Sequence, residues 1–100
     1  ASPQRLRTHP DIPTLHEQGL ANYEAFAWQG LLVPTGTAPE VVNTLSKGLE
    51  AVMKTPSVIE FFDGIAVEPW YSSPADMARF VTQENQRWGK IIREQNISLQ

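Results

Sequence analysis

The chain has 100 residues, 41% hydrophobic and 19% charged, with 8 Lys and Arg against 11 Asp and Glu and no Cys. That length suits one small domain and excludes two complete ones, while the absence of Cys removes disulfides, CxxC redox chemistry and thiolate metal sites. A formal charge of −3 with scattered cations leaves no basic stripe for phosphates, so nucleic acid is not an expected partner, and no apolar run approaches the ~20 residues of a membrane-spanning helix.

Residues 1–11 are polar and proline-punctuated, without periodicity, and are expected to be a connector arriving from a longer chain. Pro10 and Pro13 bracket Asp11 and Ile12, which predicts a rigid, non-helical turn. A short helical turn over Thr14–Gln18 can follow, with Gly19 ending it in the left-handed conformation. Residues Ala25 to Val33 are aromatic, small or β-branched and stop at Pro34, which predicts a strand buried at its C-terminal half.

Thr37-Ala38-Pro39-Glu40 has the spacing of a capping box, with Thr37 and Glu40 each answering the other's amide. The helix it opens carries Val41, Val42, Leu45, Leu49, Val52 and Met53 on one face, and Gly48 is expected to serve close packing. Thr55-Pro56 restarts the chain as cap and first helical residue of a shorter helix, anchored by Val58, Ile59, Phe61 and Phe62 and stopped by Gly64. Ile65–Trp70 is expected to be extended. Ser73-Pro74-Ala75-Asp76 then opens a long helix to Gln95, with Met77, Phe80, Val81, Trp88, Ile91 and Ile92 as a buried stripe. Asn96 suits the left-handed cap, and Ile97 and Leu99 form an apolar tail that could pair or staple the helix end.

The search for chemistry excludes more than it finds. His9 and His16 lie seven apart across two prolines, poor spacing for a metal site, so no metal or cofactor is expected. No serine sits in a GxSxG elbow, and Glu60 with Asp63 reads as a solvated helix flank, so no catalytic residue is assigned. Gly36 alone is not a phosphate loop. Trp88 is expected in the core and Trp70 half exposed beside Tyr71. Ala27-Trp28-Gln29-Gly30 has the mixture of an aromatic and an amide that lines clefts, against burial of Trp28 as the ordinary reading.

Several ordered motifs resemble one family. Pro10-Asp11-Ile12-Pro13-Thr14, Glu17-Gln18-Gly19, and Trp28-Gln29-Gly30-Leu31 through Pro34-Thr35-Gly36-Thr37 are similar to the C-terminal third of Bug-type receptors of tripartite tricarboxylate transporters. Arg87-Trp88-Gly89-Lys90-Ile91 resembles the family's closing motif, and Ala38 before Pro39 is a small departure. The resemblance implies an α/β architecture. More closely, it implies the C-terminal lobe fragment of a two-lobed type II periplasmic-binding-protein (Venus flytrap) fold, helix-rich with one or two short strands.

It further implies a non-enzymatic periplasmic receptor that captures a small carboxylate-bearing solute and presents it to a membrane permease. Residues 1–13 would be the inter-lobe connector, with the hinge and cleft turn at Pro10, Asp11, Pro13 and Thr14, and residues 14–100 part of a lobe. Phe26, Trp28 and Gln29 become the candidate ligand-lining residues. A lobe without its partner is expected to expose apolar surface and self-associate. The alternative is a free-standing interaction module that docks a protein through Trp70 and Tyr71.

Overall fold

A computed structural model describes residues 1–98. Three helices follow a long non-helical N-terminal arm: α1 (Pro39–Met53), α2 (Pro56–Gly64) and α3 (Pro74–Glu94). Each begins with proline at its first helical position, where the missing amide costs no hydrogen bond. Proline also forces the preceding residue out of helical conformation, which places the N-caps at Ala38, Thr55 and Ser73.

That rule corrects two expected caps. Because Ala38 is the N-cap of α1, Thr37 lies one position too early and donates its hydroxyl and amide to the Pro34 carbonyl, at 2.7 and 3.2 Å, closing a turn. Thr55 is the N-cap of α2, but its hydroxyl donates back to the Ala51 carbonyl at 3.2 Å instead of accepting from its own helix. Ser73 behaves as expected, accepting from the Asp76 amide at 3.1 Å and donating to the Asp76 carboxylate at 2.6 Å.

Three segments end in the same way. A left-handed residue lets two amides fold back onto the final turn: Gly19 (φ 96°), Ala66 (φ 53°) and Asn96 (φ 49°). The closing bonds are Leu20 to Leu15, Val67 to Phe62 and Ile97 to Ile92, at 2.9, 2.9 and 3.0 Å. Gly19 and Asn96 match expectation. The stop of α2 falls at Ala66, with Gly64 still helical.

Among the described residues there is no strand, contrary to the one or two expected. Residues 25–33 are nevertheless placed like one. Phe26 and Trp28 lie against Phe80 of α3, and Gly30 lies against Met77, so alternate residues share a face with the period of two that extended backbone imposes. The residues are strand-like, but from Phe26 to Val33 no described residue pairs with them in a ladder. Leu31 and Leu32, with consecutive side chains in the most apolar part, are 77% and 88% exposed.

The core is correspondingly thin. Phe80 is its centre, with Trp70 and Trp28 edge-on at 5.0 and 5.3 Å between ring centroids and Phe26 stacked at 6.3 Å. Helices α1 and α2 pack together, and Ser46 of α1 meets the Tyr71 hydroxyl at 2.8 Å. The stripe of α3 is covered over Met77, Phe80 and Val81 but open at Trp88, Ile91 and Ile92, which corrects its expected burial. Gly48 has open space where a Cβ would stand, so close packing does not explain it. No hydrophobic residue among those described is fully buried. Leu99, half of the expected apolar tail, lies outside the described residues; Ile97 closes the α3 cap and is exposed.

Candidate functional site

The Pro10–Thr14 turn is built by charge and capping. Thr14 and Glu17 form a reciprocal capping box, in which the Thr14 amide donates to the Glu17 carboxylate at 2.8 Å and the Glu17 amide donates to the Thr14 hydroxyl at 3.1 Å. Thr14 is the one buried polar residue among those described. The Arg5 guanidinium forks onto both Glu17 oxygens at 2.7 to 3.0 Å and donates its remaining arm to the Pro10 carbonyl at 2.7 Å. The Arg5 side chain and the Thr14 amide hold the Glu17 carboxyl down at about 2. The arm is therefore less free than its composition suggests. Arg7 adds a second tether, pairing with Asp63 of α2 while its amide donates to Glu68 at 3.3 Å. Asp11 and Ile12 stay exposed at the tip of the turn.

The Thr14-x-x-Glu17 spacing was readable in the sequence as a capping box. The Arg5 fork was not, because it joins residues twelve apart across two prolines.

The second element is the approach to residues 26–29. Arg87 of α3 donates to the Glu24 carbonyl at 2.7 Å, pairs with Glu84 at 2.9 Å and lies over the Trp88 ring 5.0 Å from its centroid. Glu84, whose side chain is only 12% exposed, also accepts from the Trp88 indole at 2.9 Å. The helix thus grips the backbone just before Phe26. Phe26 and Trp28 each turn one side to Phe80 and keep the rest open, while Gln29 is exposed. The hinge candidates and the lining candidates are each ordered by their own clasp, and no hydrogen bond among those described joins Pro10–Thr14 to Phe26–Gln29.

Among the described residues neither of the two best-formed depressions lies at these candidates. Both are shallow and lie elsewhere, one on α1 along Glu40, Val41, Thr44 and Leu45, the other on α3 along Ala78, Arg79, Thr82 and Gln83. Among the described residues no three His, Asp or Glu gather as metal ligands, and no helix is long and apolar enough to cross a membrane. Trp70 packs edge-on against Phe80 yet stays half exposed, as expected, while the hydroxyl of the less exposed Tyr71 meets Ser46.

Residues 1–97 match the sequence profile described as the tripartite tricarboxylate transporter family receptor. The chain belongs to that family. Among curated proteins it is similar to the BugT protein of Bordetella pertussis, 28% identical over 98 residues, covering 98% of this chain and 30% of that protein. A UPF0065 protein of the same organism is 34% identical over 90 residues, covering 90% of this chain and 28% of the relative. A further UPF0065 protein, from Agrobacterium vitis, is 33% identical over 93 residues, with 90% and 27% covered.

The chain therefore spans under a third of the length of these three relatives. No solved structure matches it. Receptors of this family have a periplasmic-binding-protein fold; they bind small solutes for the membrane components of a transporter and are not enzymes.

Proposed function

We propose that these residues are the C-terminal part of a periplasmic receptor that captures a small carboxylate-bearing solute and presents it to the permease of a tripartite transporter. The observation that carries this reading is the family match across residues 1–97. Residues 1–13 serve as the inter-lobe connector, the turn at Pro10, Asp11, Pro13 and Thr14 stands beside the hinge, and residues 14–100 belong to a lobe. A hinge needs a stiff turn next to a movable joint, and the Arg5–Glu17 fork on Pro10 supplies the stiffness.

Phe26, Trp28 and Gln29 contribute one wall of the cleft. Gln29 offers its amide donors, and the open sides of Phe26 and Trp28 give an apolar flank. The cations Arg5, Arg7, Lys54, Arg79, Arg87 and Lys90 are already paired with carboxylates of the chain. Lys47 and Arg93 are in no such pair among the described residues, and at residues 26–29 themselves the solute carboxylate would meet the neutral amide of Gln29. Binding requires both lobes, because one open wall cannot exclude water from an anion.

The test is a thermal-shift and calorimetric screen of mono-, di- and tricarboxylates against a receptor-length protein carrying this chain. At least one compound should raise the melting temperature, and Gln29→Ala should weaken it about 10-fold or more, the loss of one hydrogen bond to a charged group. A receptor-length protein that ignores every carboxylate sinks the reading.

A further inference from the structure

The segment after Glu24 carries the geometry of a strand without a sheet. Ala1 and Ala25 exchange both backbone hydrogen bonds, the terminal nitrogen donating to the Ala25 carbonyl and the Ala25 amide donating to the Ala1 carbonyl at 3.0 Å. Two residues that trade both bonds are a hydrogen-bonded pair of an antiparallel ladder. Beyond that rung, from Phe26 to Val33, no backbone hydrogen bond joins the segment to any described residue. The side chains nonetheless alternate, with Phe26, Trp28 and Gly30 on α3 and the intervening residues on the opposite face. Both faces are apolar at the far end, where Leu31 and Leu32 stand open.

We infer that residues 25–33 are a β-strand whose partner is the stretch of receptor chain immediately preceding Ala1, paired antiparallel in the register that the Ala1–Ala25 rung sets. The inference rests on the receptor reading for the existence of that stretch. Two observations identify the occupant. In an antiparallel ladder each step forward from Ala25 is matched by a step back from Ala1, so Ala27 faces the position two before Ala1 and only upstream chain can continue the pairing. The three relatives described above are more than three times as long as their matched parts, and on the receptor reading the remaining chain lies upstream. The surface agrees: 8360 Å² is exposed where a compact monomer of 11.2 kDa exposes about 5,700 Å², and the excess has the size of an obligate interface. In this register the amides of Ala27, Gln29, Leu31 and Val33 point to the upstream strand and those of Phe26, Trp28, Gly30 and Leu32 point away.

Because the chain has no Cys, the register can be trapped directly. The full chain is extended by two residues, with a cysteine two positions before Ala1 and Ala27→Cys as its partner, and is oxidised in a glutathione buffer. Facing residues of such a pair have Cα atoms about 5.5 Å apart, within disulfide reach. The intramolecular disulfide should form about 10-fold more readily than with Gln29→Cys, whose partner position lies two residues further upstream. Equal trapping at 27 and 29, or disulfides only between molecules, overturns the inference.

Hydrogen exchange supplies the second readout. When the upstream part of BugT is joined to Ala1, the amides of Ala27, Gln29, Leu31 and Val33 should slow about 100-fold relative to the chain alone. Slowing confined to the even-numbered residues, or no slowing in a folded protein, overturns it. Neither readout involves a solute, so a receptor that pairs this strand but takes no carboxylate keeps the inference and loses the proposed function.

Discussion

Glu17 shows how one side chain can organise a proline-rich turn that has no regular structure. Its carboxylate receives the Arg5 fork and the Thr14 amide, and both interactions favour the charged form. A carboxyl whose folded-state value is depressed contributes stability that is present above its unfolded value and is lost as pH falls through the folded one. For Glu17 that window runs from about 4.3 in the unfolded chain down to about 2. Carboxyl NMR titration of the side chain should show a midpoint near 2, rising in high salt because the pair is exposed and screened. A midpoint in the ordinary glutamate range would show that the fork does not persist in solution. The clasp was half legible: the Thr14-x-x-Glu17 spacing announces a cap, whereas nothing local selects Arg5 as the partner.

At the scale of elements, helix boundaries followed from proline. Each Pro at a first helical position displaces the N-cap to the residue before it, so the serine before Pro74 caps while the threonine two before Pro39 cannot. The N-terminus of α1 is left with Ala38 as a cap without a side-chain acceptor. Ala38→Asp should therefore stabilise the chain by ~0.5–1 kcal/mol, measured by urea denaturation, through one accepted amide bond and a favourable charge at the helix start. No gain would mean that Thr37 or water already satisfies those amides. Periodicity located all three helices, because the apolar spacing and start signals are local. It also located residues 25–33, yet a strand is defined by its neighbour, and the neighbour is not among the described residues. The missing ladder turns an expected strand into extended chain.

For the whole molecule the deciding quantity is uncovered surface. The radius of gyration is 16.7 Å where a compact chain of this length has about 13 Å, and the large residues Leu31, Leu32, Trp88, Ile91 and Ile92 remain open. Surface of this kind is covered by association when nothing else covers it. Sedimentation of the isolated chain should show mass rising with concentration, and a single monomeric species across a 100-fold range at about 1 to 100 μM would contradict that. The sequence by itself determined the helices, their proline-set starts, the left-handed ends at Gly19 and Asn96, and the family motifs. All of these depend on residues within a few positions of one another. Only the tertiary structure decided that Arg5 closes the Pro10 turn, that Phe80 gathers Phe26, Trp28 and Trp70, and that half of the α3 stripe stays partly open. Those outcomes depend on which distant surfaces meet, and a single sequence does not record which surfaces meet.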